Sequence, residues 1–257
     1  MSPRITLAVA GRVLTQIRRD RRTAAMLLLL PTLLMTLLWW IFQDSPAQVF
    51  DSVAPALLAL FPFFIMFLVT SVTTLRERSS GTLERLLVLP MGKLDLLIGY
   101  ALAFGLLAAI QSGLAVAVSV GLLGMDLVGP VWLLTVVAVA DAVLGATLGL
   151  FLSAFASTEF QAVQFMPAVV VPQMLLCGLL VPRDRLPAVL EAISDVLPLS
   201  YAVSAFRSVI AGGSVELAVP LAVLLTWLVG ALLVAVWAVR RQRGSWSVQR
   251  LHAQPVV

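Results

Sequence analysis

The chain has 257 residues, of which 61% are hydrophobic and only 12% charged, and its mean hydropathy is +1.04. A soluble domain carries roughly 25% charged residues, so half that fraction, set between apolar blocks of about 20, excludes a water-soluble globule. The basic excess, 17 Lys and Arg against 13 Asp and Glu, does not point to nucleic acid, because the Arg residues stand at the edges of apolar blocks and not on one compact face. The single cysteine, Cys177, lies inside an apolar run, which excludes a disulfide framework and a thiolate metal cluster.

Residues 3–19 form the first predicted element. Val9, Val13, Ile17, Ala10, Leu14 and Leu7 fall on one helical arc, with Arg4, Arg12, Arg18 and Arg19 opposite. This pattern predicts an interfacial amphipathic helix, Arg heads toward anionic lipid and the apolar face in the acyl boundary. A cleaved signal peptide is the poorer reading, because the following apolar run is long and no small-x-small site ends it. Six apolar spans follow, at 23–42, 53–75, 96–123, 131–155, 162–181 and 217–239. Each is long enough for a hydrocarbon core of about 30 Å. Backbone groups in lipid must pair internally, so these are helices. The fold class expected is an all-α polytopic membrane protein of six transmembrane helices.

With the N-terminus in the cytoplasm, fourteen of the seventeen Lys and Arg side chains lie inside and only Arg183, Arg185 and Arg207 lie outside. The positive-inside rule then sets the orientation, with both termini cytoplasmic. Trp39, Trp40 and Trp132 near span ends read as belt anchors.

The longest polar interruption follows the second span. Arg76-Glu77-Arg78 opens it, Ser79-Ser80-Gly81-Thr82 is a helix-start signal, and Pro90 closes it. Between them Leu83, Leu86 and Leu87 share one helical face, with Glu84 and Arg85 off it. Residues 79–90 therefore predict a short helix flat on the cytosolic surface, its polar side offered to another protein. The external stretch 182–213 is too apolar for a solvated loop and too interrupted for a span, since Asp195, Pro198 and Arg207 lie within it. It predicts a re-entrant helical hairpin in the outer leaflet, buried against protein.

Individual side chains carry paired expectations. Asp141, near the middle of the fourth span, should face protein or water, because a carboxylate at bilayer centre costs about 2.5–3.5 kcal/mol on insertion scales. It is either a contact for a cationic substrate or a proton, or a structural group near Thr135 or Thr147. Glu159, at the mouth of the fifth span, is placed to pair with an Arg of the interface helix or to guide substrate entry. The second span holds Phe61, Phe63, Phe64, Met66 and Phe67, and the fifth Phe165, Met166 and Met174. Such surfaces repack around varied apolar ligands, though the same residues also serve plain packing.

The chain resembles the permease subunit of the ABC type-2 exporters, the family of the daunorubicin/doxorubicin-resistance permeases. Arg76-Glu77-Arg78, Gly81-Thr82-Leu83-Glu84-Arg85-Leu86 and Pro90 match after the second span. Glu159, Gln161, Gln164 and Pro167 match after the fourth, and Pro172, Gly178, Pro182, Leu186-Pro187, Leu197-Pro198, Tyr201 and Arg207 match the outer hairpin. The resemblance implies a single transmembrane domain over residues 1–257 that dimerises with an identical or homologous permease around a central pathway. It implies that 79–90 is a coupling helix docking on a separate ATPase subunit, with contacts from Arg78, Gly81, Thr82, Leu83, Glu84, Arg85, Leu86 and Pro90. Phe63, Met66, Phe67, Asp141, Gln161, Gln164, Phe165 and Met174 would border the substrate pathway, and Pro182, Pro198, Tyr201 and Arg207 would build the external hairpin.

The residues agree with a separate ATPase. No G-x-x-x-x-G-K-[ST] loop cradles phosphates, since Gly92-Lys93 is followed by Leu94. ATP and Mg would sit on the partner, with no cofactor or metal on this chain and no catalytic residue. The implied role is export of a hydrophobic or amphipathic substrate, a drug or a lipid-like molecule, across the bacterial inner membrane. A lipid or glycan exporter, or a secondary transporter or channel uncoupled from ATP, is the alternative. An intramembrane enzyme is disfavoured, because the one His, His252, lies in the polar tail and no H-E-x-x-H or paired intramembrane Asp motif occurs.

Overall fold

A computed structural model describes residues 2–44, 47–80, 93–153, 155–156, 158–213, 218–227 and 229–230. Among these there are helices and no strands: α1 (Pro3–Arg19), α2 (Arg21–Phe42), α3 (Ala47–Ser79), α4 (Lys93–Gly121), α5 (Val131–Ser153) and α6 (Glu159–Leu176). A 3-10 turn (Arg183–Arg185), α7 (Ala188–Ser194), α8 (Pro198–Ile210) and α9 (Ala218–Trp227) follow. Four helices are long and apolar enough to cross a membrane, at Arg21–Phe42, Phe50–Glu77, Ile98–Gly121 and Val131–Ser153. The α7–α8 pair, bent by 83°, makes a fifth if counted as one span. Of the sixth expected span, 217–239, residues 218–227 and 229–230 are described, and the remainder lies outside the described residues.

Local chemistry sets the helix ends. Asp20 closes α1 and opens α2: its backbone N–H donates to Gln16 O, and its carboxylate accepts from Thr23 N at 3.2 Å and Thr23 Oγ1 at 2.7 Å. Those bonds, the side-chain one first, hold the Asp20 carboxyl below its ordinary range. Thr158 caps α6 by accepting from Gln161 N at 3.2 Å. The helix over the fifth expected span, 162–181, is shifted accordingly and is not among the four long and apolar enough to cross a membrane. It starts at Glu159 behind the threonine cap and stops at Leu176, before Gly178 with φ +88°.

The centre of the fold is the contact of α3 with α5. A Cβ at Gly145 would lie 2.3 Å from Phe63 O, and one at Gly149 2.3 Å from Phe67 O. The two pairs step together by four residues, so the helices run parallel with their backbones touching along one turn. Only glycine leaves that space, and small residues are the general means by which helices approach closely inside a membrane. Around this seam are two apolar clusters. At the hairpin end, α8 inserts Leu199, Ala202, Val203, Ala205, Phe206 and Val209 against α3 and α5. At the α1 end, Val9, Val13 and Ile17 share one buried cluster with Leu27 of α2, Ile65 and Met66 of α3, and Leu96, Tyr100 and Phe104 of α4. The stripe of α1 expected to face acyl chains thus packs on the chain itself. Gly99 marks how close that packing is, since a Cβ there would lie 2.7 Å from Val9 Cβ and 2.9 Å from Thr6 O.

Not every apolar face is covered. α2 buries Leu27, Pro31 and Met35 and exposes Met26, Leu29, Leu33, Leu37, Trp40 and Ile41. α6 buries Ala162, Val170 and Gln173 and exposes Phe160, Val163, Val171 and Leu175. Apolar surface on this scale is what a bilayer or a partner subunit covers.

Replacing Gly145 or Gly149 by Leu should destabilise the chain by about 3 kcal/mol, because the obstructing atom is backbone that no rotamer change can move. Gly113, with nothing within 4 Å of its Cβ position, is the control: Gly113→Leu should leave the thermal transition of the detergent-purified chain near the parent value.

Candidate functional site

At the α1 end, three sets of polar side chains join helices to one another. Glu77, in the last turn of α3, is only 3% exposed. Arg12 of α1 reaches it with Nη2, 3.0 Å from Oε1 and 2.9 Å from Oε2, and the same nitrogen donates to Tyr100 Oη of α4 at 2.9 Å. One guanidinium therefore ties three helices. A carboxylate this deeply buried needs such a partner, since burying an unpaired charge is costly. Asp95, in the first turn of α4 and also 3% exposed, accepts from Ser2 N at 3.1 Å and Thr6 Oγ1 at 3.4 Å. Its negative charge also suits a helix N-terminus. The third set is more open: Arg76 Nε and Nη2 bind Glu159 Oε1 and Oε2 at 2.9 and 3.0 Å, joining α3 to α6.

Glu159 was expected either to pair with an Arg of the interface helix or to guide substrate entry. It pairs instead with Arg76, while the interface-helix arginine takes Glu77. The reason is geometric: α1 packs along α4 and reaches the end of α3 through Arg12, while α6 packs on α3. Of the expected coupling residues, the side chain of Arg78 and all of Gly81, Thr82, Leu83, Glu84, Arg85, Leu86 and Pro90 lie outside the described residues. What is described is the frame on either side of them, Glu77 before and Asp95 after.

The expected pathway residues separate into two groups. Phe63, Met66 and Phe67 are fully buried within this chain, at the α3 seam. On α6, Gln164 is exposed and Gln161, Phe165 and Met174 are half-buried. Asp141 is fully buried in α5, and neither carboxylate oxygen has a hydrogen-bond partner among the described residues. Thr135 and Thr147 do not serve it, because their hydroxyls donate to Val131 O and Val143 O. Gln111 of α4 is likewise buried with both amide atoms unpartnered among the described residues, next to Ser112, which donates to Ala138 O across the α4–α5 seam.

The four expected hairpin residues fall on the 3-10 turn and on α8. Pro182 caps the 3-10 turn and Pro198 opens α8, where its missing N–H costs nothing. Tyr201 donates to Asp195 O at 2.8 Å, and Arg183 pairs with the Asp195 carboxylate while its guanidinium sits 5.2 Å from the Tyr201 ring centroid. Arg207 donates to Gly178 O at 2.7 Å, closing the left-handed turn after α6. Ser194 links the bend to Leu176 O and Ser200. The loop before α5 joins the same end, with Val128 N donating to Ile210 O and Gly129 against Val209 O.

Arg12, Tyr100 and Asp95 were missed from the sequence. Arg12 was read only as one lipid-facing arginine among several. Tyr100 carried a usable signal, because a buried tyrosine hydroxyl in an apolar helix calls for a polar partner.

Residues 5–211 match the family described as ABC-2 type transporter, a stretch running from α1 to the end of α8. The chain is 25% identical over 206 residues to ABC transporter G family member 20 of Dictyostelium discoideum, covering 79% of this chain and 28% of that protein. It is 26% identical over 178 residues to the probable multidrug ABC transporter permease YbhS of Escherichia coli, covering 69% and 47%. With the probable multidrug ABC transporter permease YbhR of the same organism it shares 28% over 149 residues, covering 58% and 40%. The chain thus spans less than half the length of these curated relatives. Because the family match takes in most of the 257 residues and the helices that build both polar ends, the chain belongs to the ABC-2 type transporter family, as a membrane permease.

Proposed function

We propose that this chain is the transmembrane subunit of an ATP-driven exporter, moving a hydrophobic or amphipathic substrate out of the cell. The observation that carries the reading is the family match together with the frame around 81–92: two buried carboxylates, Glu77 and Asp95, anchor the helices on either side of that segment. The segment 79–90 is the coupling helix, facing the cytosol, a reading that the Lys and Arg distribution supports. Two copies of a separate ATPase close on ATP and push it, and the permease pair switches from inward to outward access as packed helices shift between two arrangements. The sixth span is 217–239, and the second permease chain covers part of the exposed α2 and α6 faces.

The pathway runs beside α6, where Gln161, Gln164, Phe165 and Met174 offer mixed polar and soft apolar contacts. The polar groups lost from water in Asp141 and Gln111 are retained for transport and not for stability. The multidrug designation of two relatives favours drug-like substrates. The apolar character of the exposed helices supports lipid-like ones as well.

An affinity-tagged chain should co-purify with an ATP-binding subunit from its own host. Replacing Glu84 by Arg, or Gly81 by Trp, should leave that complex intact but cut ATP-driven export of a fluorescent amphipathic dye by about tenfold, the scale of an ordinary coupling energy. Dye export at the parental rate in both variants would remove 79–90 from the coupling role.

Asp141→Leu should raise thermal stability by up to ~2.5 kcal/mol, as an unpartnered carboxylate leaves the apolar interior, while lowering dye export. A loss of stability would place Asp141 among the structural groups instead.

A further inference from the structure

The contacts of α1 go beyond those of a surface anchor. Its apolar face is sealed by the chain, with Val9, Val13 and Ile17 each no more than 4% exposed. Its backbone meets α4 so closely at Gly99 that even a methyl group has no room. It then holds both helices that border 81–92: Arg12 takes Glu77 two residues from the end of α3 and Tyr100 of α4, and Ser2 with Thr6 takes Asp95 in the first turn of α4. The two clasps lie at opposite ends of about three turns of α1.

We propose that α1 is a positioning strut, in which the Arg12–Glu77–Tyr100 clasp and the Asp95 clasp make α1, the end of α3 and the start of α4 one rigid body, so that a push on the segment between α3 and α4 moves all three together. The source of the push rests on the exporter reading; the rigidity does not. Physically, a connector pushed between two independently hinged helices would spread them or tilt one of them. A third element fixed to both removes that freedom and passes the displacement on as a rigid-body motion. The buried clasp suits this better than a surface ion pair, because Glu77 has little water to replace Arg12 if the pair opens.

The experiment uses the full chain with its co-purifying ATPase subunit in lipid nanodiscs. Spin labels are placed at exposed Leu7 of α1 and Leu102 of α4 in a Cys177→Ala background. Pulsed dipolar spectroscopy then reads the distance without nucleotide and after trapping with ATP and orthovanadate. The strut gives one narrow distance that does not shift on trapping. Glu77→Gln combined with Asp95→Asn loses the narrow peak in both states. If the combined variant does not assemble, Tyr100→Phe with Thr6→Val removes one hydroxyl from each clasp and should broaden the peak while leaving the core side chains in place. A shift of the parental distance on trapping, or a narrow peak in the variants, overturns the strut. Per assembled complex, the variants should keep the KM for ATP and lose turnover. Parental turnover with only a lower yield of complex would reduce the clasps to structural contacts and also overturn it. If no ATPase co-purifies, the exporter reading fails, while the distance in the chain alone still decides the clasps.

Discussion

The contact on which the rest of the structure depends is backbone against backbone: Gly145 and Gly149 of α5 on the carbonyls of Phe63 and Phe67 of α3. Apolar side chains gain nothing from association when lipid is the alternative surrounding, so close packing must supply the attraction. Two glycines four residues apart let two helices touch along a turn, with Cα–H groups facing carbonyl oxygens as a weak additional attraction. Because α3 is held on that side, the large side chains Phe63, Met66 and Phe67 are enclosed and fill the neighbouring space. α8 and α1 then have fixed surfaces to dock on, one toward each end of the seam.

The ends are held by a different physics. At the α1 end, Arg12–Glu77, Arg76–Glu159 and the Asp95 contacts link four helices through charge-assisted hydrogen bonds. At the hairpin end, Arg183, Asp195, Tyr201 and Arg207 form a knot of the same kind. Exposed ion pairs such as Arg76–Glu159 contribute little, roughly 0–1 kcal/mol. The buried one is different, because Glu77 cannot recover water if Arg12 leaves. Charge therefore acts here mainly to fix which helix ends meet, while glycine packing fixes how close the middles come.

Between these ends the chain carries polar groups with nothing bound to them among the described residues, Asp141 and Gln111 foremost. Burying a carboxylate and an amide without partners is costly, so these two groups stand apart from the apolar packing around them. The exposed apolar strips of α2 and α6 similarly exceed what a single helical bundle needs to show. Both features fit a chain of apolar helices that belongs to the ABC-2 type transporter family.

Amino-acid order alone determined the class of this protein. Long apolar blocks have no folded state in lipid other than helices, so α2, α3, α4 and α5 were legible within a few residues of their ends. So were the amphipathic α1 and the break at Pro198, because periodicity and proline act locally. The residues Pro182, Pro198, Tyr201 and Arg207 were singled out through family resemblance, and their hydrogen-bond partners came only from the structure. Partner choice was not. Arg12 lies 65 residues from Glu77, and Arg76 lies 83 from Glu159. Several arginines compete for each carboxylate in one dimension, and only the way α1 crosses α4 and α6 flanks α3 excludes the others. The side of a helix that meets protein was equally invisible for α1, since lipid and a neighbouring helix ask for the same apolar stripe, and only Val9 seated on Gly99 decides between them.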